Sequence, residues 1–445
     1  MTTTAPDRVR IHPGQLHGEV AVPGDKSLSH RALLLSAFAD RPVRVGGLAP
    51  SGDVAATAAA LTTMGAQVDL APQADGSLAG SVRGPLGEAR DVLDCGNSGT
   101  SLRLLAGVVA GIDGLTVLTG DASLRSRPVD RIAVPLRAMG ARLDAAAGGH
   151  RPPLVVRGGH LTGTSYLSPV ASAQIKSAIL LAGLRADGPT TVTSPLPSRD
   201  HTERMLAHFG HPVQREVYRD GTEVVTVDPL GDRTLAADEV VVARDPSSAA
   251  FWLVAAACGA GTITATGVCA NPLRLGVVAA LRRLGVEVAV TDQGETAGEP
   301  LADLTVAPTA LTGASLQGQL VVDALDELPV LALAGACSAD GLEVHDAAEL
   351  RVKESDRIAV LAAALRAVGL EVEERPDGYR VPGGQRPGPG TVEAHGDHRI
   401  AMTAAIAAVL GTGPVEIGGF GAVATSYPSF LDDLARLGGR AEVLA

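Results

Sequence analysis

Three lysines are retained in a chain that otherwise uses arginine for its positive charges. Of the 37 Lys and Arg residues among 445, only Lys26, Lys176 and Lys353 are lysine. The lysine ammonium is a compact charge whose pKa shifts readily, whereas the arginine guanidinium keeps its proton. Each retained lysine is therefore a candidate for chemistry that arginine cannot do, and chance retention at a surface position is the alternative.

Basic residues recur where small polar residues give way to stretches rich in Ala and Leu. Two acids lie among them, Asp326 in DALDELPVLALAG and Glu354 in LRVKESDRIAV. Eight cations and two acids leave a formal charge of about +6, which suits two phosphorylated carboxylic acids, because a phosphate carries about −1.5 to −2. The eight cations are Lys26, Arg31, Arg103, Arg127, Arg199, Lys353, Arg357 and Arg399.

A carboxylate beside lysine and arginine, facing anions, is the arrangement that general acid/base catalysis needs. Glu354 follows directly on Lys353, which favours the catalytic interpretation, and the alternative is a structural ion pair of Lys353 with Asp356. His395 and His398 have no further His or Cys cluster nearby, so we expect no metal site. The GNSGTS stretch lacks the G-K-[ST] of a Walker loop, and no G-x-S-x-G elbow is present.

Two patterns recur six times along the chain and predict six copies of one unit. The first is a polar start followed by an Ala/Leu-rich helix, with its markers at steps of 71, 75, 75, 79 and 71 residues. The second is an amphipathic helix closed by glycine, the expected left-handed C-terminal cap, at Gly65, Gly140, Gly210, Gly285, Gly369 and Gly438. The markers of the first pattern are Lys26, Asn97, Ser172, Ser247, Asp326 and Asp397.

Short β-rich runs between these helices predict an α/β fold. The first helix of each unit is apolar on nearly all sides and should be buried, while the second should cover the outside. Six units exceed one ordinary core, so three plus three is the expected division, with its boundary near residues 236–246. The N-terminal strand up to Val22 is expected to return and pair with the second half.

The polar starts of the buried helices predict an anion site. Each helix start carries unpaired N–H groups and a partial positive charge. Two three-unit domains that aim these ends at one another would enclose anions in the cleft between them. The alternative is that the polar residues are ordinary N-caps, and we favour it for the fourth and sixth helices taken singly.

Composition narrows the class of protein. The formal charge of −12 argues against nucleic acid as a general partner, because the phosphate backbone attracts basic surfaces and is repelled by acidic ones. The first twenty residues lack the apolar stretch of a signal peptide, and no apolar run approaches the roughly 18 residues of a membrane span. Four cysteines without C-x-x-C spacing fit a reducing compartment. We therefore expect a cytoplasmic protein without membrane or nucleic-acid partners.

Long motifs in the chain resemble those of the 5-enolpyruvylshikimate-3-phosphate synthase family of enolpyruvyl transferases. They run in order from residue 23 to 402: PGDKSLSHR, GNSGTSLRLL, SAQIKSAILLAGL, SRDHTERML, DELPVLALA, RVKESDRI and GDHRIAM. The resemblance implies two domains of three βαβαββ units each in pseudo-threefold arrangement, with the active site in the cleft between them. The first domain would span residues 22–243, and the second would comprise residues 1–21 and 244–445.

The resemblance also implies which residues bind the two anionic substrates. Gly99 would leave room beside phosphoenolpyruvate, Ala173 would act through its backbone, and Lys353 would reach the shikimate hydroxyls. Phosphoenolpyruvate would contact Lys26, Asn97, Gly99, Thr100, Arg127, Gln174, Arg357 and Arg399. Shikimate 3-phosphate would contact Lys26, Ser27, Arg31, Ser172, Ala173, Gln174, Arg199, Asp326 and Lys353.

The implied reaction is transfer of the enolpyruvyl group to the 5-hydroxyl of shikimate 3-phosphate by addition and elimination of phosphate, a step toward chorismate and the aromatic amino acids. We assign Glu354 to the proton on carbon and Asp326 to the hydroxyl proton, with Lys26 assisting. No metal or other cofactor is implied, and we expect a monomer. Lys176 has no role that the family makes certain. Thr425 stands where some members have a lysine.

Three other interpretations remain. A UDP-N-acetylglucosamine enolpyruvyl transferase would typically have Lys-Asn at Lys26-Ser27 and a loop cysteine, yet no cysteine lies between Cys95 and Cys258. An enolpyruvyl transferase with another acceptor is disfavoured by the retained shikimate 3-phosphate set. A non-catalytic anion-binding protein is disfavoured by the retained Asp326 and Glu354.

Overall fold

Each predicted repeat forms one four-stranded sheet with a buried and an outer helix. The computed structural model describes residues 6–444. The chain begins with two strands that pair with strands of later repeats, β1 (Arg8–Ile11) and β2 (Gly18–Val20). The first repeat then comprises α1 (Lys26–Ser36), β3 (Val43–Leu48), α2 (Gly52–Thr63), β4 (Gln67–Pro72) and β5 (Leu78–Arg83). The second repeat comprises β6 (Leu93–Asp94), α3 (Gly99–Ala110), β7 (Gly114–Thr119), α4 (Ala122–Ser126), α5 (Asp130–Ala138), β8 (Arg142–Ala145), α6 (Ala146–Gly149) and β9 (Arg151–Gly158). The third comprises β10 (Ser165–Leu167), α7 (Ala173–Gly183), β11 (Thr190–Ser194), α8 (His201–His208), β12 (Gln214–Val217) and β13 (Glu223–Val227).

The second half repeats the same order of elements. The fourth repeat comprises β14 (Glu239–Val241), α9 (Pro246–Ala255), a π-helical turn (Ala256–Ala260), β15 (Ile263–Cys269), α10 (Gly276–Arg283), β16 (Val288–Thr296) and β17 (Glu299–Val306). The fifth comprises β18 (Ala314–Leu316), α11 (Gln319–Asp323), α12 (Leu328–Cys337), β19 (Leu342–Val344), a 3-10 turn (Ala348–Val352), α13 (Arg357–Ala367), β20 (Glu373–Arg375) and β21 (Gly378–Val381). The sixth comprises β22 (Gly390–Glu393), α14 (His398–Leu410), β23 (Val415–Gly418), a 3-10 turn (Phe420–Thr425), α15 (Phe430–Arg436) and β24 (Ala441–Val443).

The six sheets share one strand order. Three are built within a repeat: β6-β7-β9-β8, β10-β11-β13-β12 and β18-β19-β21-β20. The other three borrow a strand, giving β14-β3-β5-β4, β2-β15-β17-β16 and β22-β23-β1-β24. The predicted return of the N-terminal strand is confirmed, because β2 pairs in parallel with β15 and β1 pairs in antiparallel with β23. The chain thus has the predicted α/β fold of six repeats.

The Ala/Leu-rich helices form the cores. All residues of α9 and of α14 are buried, as expected for helices that are apolar on every side. The outer helices end at the six predicted glycines, whose φ values lie between +75° and +106°. Only glycine adopts this left-handed backbone without steric cost, so each glycine stops its helix and turns the chain into the next strand. No helix in residues 6–444 is long and apolar enough to cross a membrane.

The chain divides into two compact units. The first unit consists of residues 26–242 and 295–299, and the second consists of residues 6–25, 243–294 and 300–444 within the described range. These bounds differ from the predicted ones at residues 22–25 and 243, which belong to the second unit, and at residues 295–299 around the β16–β17 turn, which belong to the first. Thr296 explains the second difference, because its hydroxyl donates to the Val241 carbonyl oxygen at 2.8 Å. Residues 1–5 and 445 of the predicted second domain lie outside the described residues.

Candidate functional site

In the second unit, two carboxylates share one guanidinium. Asp326 lies in the turn before α12, Glu354 lies in the loop before α13, and Arg357 is the first residue of α13. An Oδ1 of Asp326 is 3.5 Å from Nη1 of Arg357, and Nη2 of the same arginine donates to Glu354. The Asp326 and Glu354 side chains are 17% and 19% exposed, whereas that of Arg357 is 1% exposed. Both carboxylates therefore remain partly exposed to solvent while they pair with one buried cation.

Asp397 fixes this arginine from behind. It is the N-cap of α14, where its side chain accepts the Arg399 backbone N–H at 3.0 Å, and it also accepts from Nε of Arg357 at 2.9 Å. Burial opposes both charges, yet their mutual attraction keeps the pKa of Asp397 below and that of Arg357 above its ordinary value. Nη1 of Arg357 is buried and has no hydrogen bond to any described residue. The same nitrogen forms the 3.5 Å ion pair with Asp326, and it has hydrogen-bonding capacity left for an anion.

Two more cations face Asp326. Nζ of Lys353 lies 4.0 Å from Oδ1 of Asp326, and Nη2 of Arg399 lies 3.8 Å from Oδ2. Arg399 also donates to the Asp326 carbonyl oxygen at 2.9 Å. Burial lowers the pKa of Lys353, and the nearby carboxylates oppose that shift. The alternative prediction, an ion pair of Lys353 with Asp356, is wrong. The Asp356 carboxylate instead binds Arg351 at 2.7 Å and caps α13.

A buried network that the sequence did not reveal lies beside this cluster. The Arg274 guanidinium binds Asp25 at 2.8 Å and Asp245 at 2.7 Å, and its Nη1 is 3.5 Å from Glu327, the residue after Asp326. Burial opposes the Arg274 charge, but the three carboxylates raise its pKa well above the ordinary value. The network ties the start of α9 to the start of α12.

In the first unit, Lys26 is the first residue of α1 and forms an ion pair with Asp53. The Nζ–Oδ2 distance is 2.8 Å, and the side chains are 17% and 9% exposed. Asp53 was not predicted as a site residue. Its position in the first turn of α2, which favours an acid in any helix, was the only available signal.

The start of α3 is surrounded by arginine. Asn97 accepts from Nη2 of Arg127 at 2.7 Å and donates to Asp121 at 2.7 Å. A Cβ on Gly99 would lie 2.9 Å from Nη1 of Arg103 and 3.1 Å from Nη1 of Arg127. The missing side chain of Gly99 therefore leaves room for two guanidinium groups. This is a second reason for glycine at this position, besides the predicted room for phosphoenolpyruvate.

Gln174 joins the starts of α3 and α7. Its amide nitrogen donates to the Thr100 hydroxyl at 2.9 Å, and its amide oxygen accepts from Arg103. Ser172 is the N-cap of α7 and Ala173 its first residue, and the Ser172 side chain makes no cap hydrogen bond. The predicted residues of these two helix starts are thus brought together, with Arg103 between them.

Arg31 is a buried residue of the first unit. Its side chain is buried, donates to the hydroxyls of Thr202 and Ser177 at 2.7 Å each, and donates to the carbonyl oxygen of Ser27 at 3.0 Å. It joins the starts of α1 and α8 to α7. Ser27 itself is partly exposed at the start of α1.

Lys176 is a structural residue of the first unit. Its buried ammonium lies 2.6 Å from Glu203 and 2.9 Å from Glu223, and donates to the Ser198 carbonyl oxygen at 3.1 Å. Arg199, the next residue after Ser198, is partly buried in the loop between β11 and α8. Lys176 therefore anchors the loop that carries Arg199.

Two acids that were not counted in the predicted site lower the summed formal charge of its residues. Asp53 and Asp397 pair with two of the eight cations, so the formal charge falls from about +6 to about +4, still enough to attract multiply charged anions. Within residues 6–444, no group of three or more His, Cys, Asp or Glu side chains has the arrangement of a metal site. The Thr425 hydroxyl donates within its own turn, to the Ala422 carbonyl oxygen at 2.8 Å.

Comparison with known proteins assigns the chain to a family. The family model described as EPSP synthase (3-phosphoshikimate 1-carboxyvinyltransferase) matches residues 11–434. The chain is 48% identical to the 3-phosphoshikimate 1-carboxyvinyltransferase of Halorhodospira halophila over 440 residues, which cover 98% of this chain and 97% of that one. It is 47% identical to the protein of that name from Roseiflexus castenholzii over 429 residues, 96% of this chain and 98% of that one.

Solved structures agree. The EPSP synthase of Acinetobacter baumannii superimposes with a TM-score of 0.84 at 38% identity, covering 98% of this chain and 100% of that one. The enolpyruvyl transferase NikO of Streptomyces tendae shares the fold, with a TM-score of 0.76 at 20% identity, covering 98% of this chain and 99% of that one. The chain is a transferase and belongs to the EPSP synthase family.

Proposed function

We propose that this enzyme transfers the enolpyruvyl group of phosphoenolpyruvate to the 5-hydroxyl of shikimate 3-phosphate, with the two units each supplying half of the site. The observation that carries the proposal is the cluster of Asp326 and Glu354 around Arg357, in a chain whose family performs this reaction. Proton-transfer groups and fixed cations occur there together. An anion-binding protein without catalysis would need only the cations.

Phosphoenolpyruvate would be held by cations from both units. Arg127 of the first unit, and Arg357 and Arg399 of the second, can each present several N–H groups to a carboxylate or phosphate. Nη1 of Arg357 supports this assignment, because it is buried and ion-paired with Asp326 at 3.5 Å but makes no hydrogen bond, so a bound anion could accept one from it. Lys26, Asn97, Gly99, Thr100 and Gln174 would complete the first unit's side of the site.

Shikimate 3-phosphate would bind mainly to the first unit. Its phosphate would meet the start of α7, where the Ser172 hydroxyl is not used as a cap, and the guanidinium of Arg199. Arg31, already committed to Thr202 and Ser177, would act by fixing the helix starts around Ser27. Asp326 and Lys353 would reach the acceptor from the second unit.

The chemistry would proceed by addition and elimination. Glu354 would deliver a proton to the methylene carbon of phosphoenolpyruvate, so that the adjacent carbon becomes electrophilic. The 5-hydroxyl would attack that carbon as Asp326 takes its proton, with Lys26 assisting, and the tetrahedral adduct would then lose a proton and phosphate. The cations around both carboxylates are fixed by ion pairs, so they would stabilise the changing charge without reorganisation.

The acceptor and the setting are part of the proposal. We expect the enzyme to act as a monomer in the cytoplasm, in keeping with its four free cysteines. An enolpyruvyl transferase acting on UDP-N-acetylglucosamine would share the donor, so the acceptor must be tested directly.

The test is release of phosphate from phosphoenolpyruvate with each acceptor in turn. We expect release that depends on shikimate 3-phosphate and is absent with UDP-N-acetylglucosamine, together with a product that carries the enolpyruvyl group by mass spectrometry. Phosphate release with UDP-N-acetylglucosamine but not with shikimate 3-phosphate would show that the proposed acceptor is wrong. Binding of both anions without release would leave only the anion-binding interpretation.

A further inference from the structure

Two cysteines far apart in the sequence lie together in the second unit. Cys258 is in the π-helical turn that follows α9, and Cys337 is the last residue of α12, which packs against that turn. The two thiols are close enough to shift each other's pKa, and both side chains are partly exposed. The other cysteines, Cys95 and Cys269, are fully buried. Only the former two thus combine a thiol neighbour with access for a small molecule, within residues 6–444.

Both thiols line one cavity of about 600 Å³. Its wall also includes residues 13–15, Arg386 and the end of α14. The volume lies within the range of sites that hold small molecules. Arg386 is the one charged residue among the described residues that line the cavity, and its guanidinium Nε is held by the Leu410 carbonyl oxygen at 3.1 Å. A fixed positive charge and the two cysteines therefore line one space that small reagents can enter.

The surroundings make the two thiols unequal. The hydrogen bond from Cys258 lowers the pKa of Cys337, and the charge of Arg386 adds to that shift although burial opposes it. The same hydrogen bond and burial raise the pKa of Cys258. The thiolate is the nucleophile in cysteine chemistry, so these directions favour Cys337 as the attacking group.

We propose that Cys337 and Cys258 form a peroxide-sensitive dithiol, a modification site separate from the helix starts that carry the proposed chemistry. The Cys337 thiolate attacks one oxygen of hydrogen peroxide, the O–O bond breaks, and hydroxide leaves and is protonated to water. The Cys258 sulfur then attacks the sulfur of the resulting sulfenic acid, an S–S bond forms, the S–O bond breaks, and the hydroxyl leaves with the Cys258 proton as a second water. Both sulfurs are oxidised, and peroxide is the oxidant that is reduced.

The site lies at the opposite end of the helices from the proposed chemistry. α12 begins two residues after Asp326 and ends at Cys337, a run of ten residues that spans roughly 15 Å. Oxidation would tie the C-terminal ends of α9 and α12 together. Because neither thiol belongs to the proposed catalytic set, the dithiol can be tested whether or not the proposed function holds.

The first experiment treats the reduced full-length enzyme with a small excess of hydrogen peroxide and maps its peptides by mass spectrometry. We expect one disulfide between Cys258 and Cys337, a loss of two hydrogen atoms per chain, and full reversal by dithiothreitol. Cys95 and Cys269 should stay reduced, since they are buried. Oxidation of those two at the same rate, or unlinked oxidation of Cys258 and Cys337, would overturn the proposal.

Three variants separate the roles of the residues. Cys258→Ser should accumulate a sulfenic acid at Cys337 that dimedone traps, whereas Cys337→Ser should give little trapping at Cys258. Arg386→Gln should slow alkylation of Cys337 by iodoacetamide at neutral pH by about threefold or more, because the thiolate fraction falls. Arg440→Gln, an exposed arginine of the same unit, is the matched control and should leave the rate unchanged. Equal dimedone labelling in the two serine variants, or an unchanged rate in Arg386→Gln, would contradict the assigned roles.

Discussion

The carboxylates of Asp326 and Glu354 differ from the other acids near the predicted site in their exposure. Asp397 and Asp53 neutralise cations from buried positions, whereas Asp326 and Glu354 remain 17% and 19% exposed. A group that exchanges a proton with substrate must be reachable, and a group that only fixes a cation need not be. This difference in exposure supports the proposed division between acids that position cations and acids that transfer protons.

Replacing Glu354 by Gln tests the assigned proton transfer. The amide keeps the size of the side chain but has no proton to deliver, so turnover should fall roughly 10²-fold or more while substrate binding changes little. Steady-state kinetics and calorimetry with shikimate 3-phosphate measure the two effects. Glu371→Gln, at an exposed position of the same unit, is the control. Turnover equal to wild type would remove Glu354 from the proton path.

Gly99→Ala tests the room left beside the two guanidinium groups. The added methyl would lie within 3.1 Å of nitrogens of both Arg103 and Arg127, so the flexible side chains must move. If Arg127 holds phosphoenolpyruvate, the KM for that substrate should rise about tenfold, which corresponds to ~1.4 kcal/mol. Gly52→Ala is the control, because its Cβ would meet nothing within 4 Å. An unchanged KM in Gly99→Ala would show that the displacement does not reach the substrate.

The helices and their starts are the level at which the sequence was most informative. The six-fold spacing of buried helices and terminal glycines predicted the repeats, because a glycine with positive φ and an apolar helix each leave a local mark. Pairings such as Lys26–Asp53 and Arg357–Asp397 leave none, since tertiary packing alone brings those residues together.

Lys176 is a second case in which the sequence did not predict the tertiary contacts of a side chain. Its retention as lysine marked it as a candidate for chemistry, and it instead occupies a buried position between Glu203 and Glu223. Residue type indicated that the ammonium mattered there. Only the packing of α7 against α8 and β13 shows that the ammonium anchors a loop.

Asp397→Asn should reveal how strongly the start of α14 depends on its ion pair with Arg357. Breaking a buried pair by removing one partner costs about 3–5 kcal/mol. The pKa of Asp397 is lowered in the folded state, so its stabilising contribution is present above the unfolded value of about 3.9 and is lost as pH falls through the folded value.

Denaturant unfolding across pH measures this contribution. The variant should be less stable than wild type at neutral pH, and the gap should narrow below about pH 4. Glu416→Gln, which breaks a partly exposed pair with Arg10, is the control and should cost about 1 kcal/mol or less. A gap that stays constant to low pH would show that ionisation of Asp397 does not stabilise the fold.

Over the full chain, the proposal requires both units to bind the same substrate. On that proposal, the first unit would contribute Lys26 and Arg127, and the second would contribute Arg357 and Arg399. Cations in separate units that share one anion couple its binding to the arrangement of the units, as a ligand that prefers one arrangement shifts the population toward it. If the proposal holds, neither unit alone would be active.

The most direct measurement is kcat/KM for phosphoenolpyruvate, at saturating shikimate 3-phosphate, in Arg127→Ala and Arg399→Ala. Each removes one cation from one unit, so each should lower kcat/KM by roughly 10²-fold or more, in line with about 2–5 kcal/mol for a truncated buried charge contact. Exposed arginines of the same units, Arg44→Ala and Arg440→Ala, should retain the wild-type value. If either Arg127→Ala or Arg399→Ala keeps the wild-type kcat/KM, the substrate is bound by one unit alone and the account is contradicted.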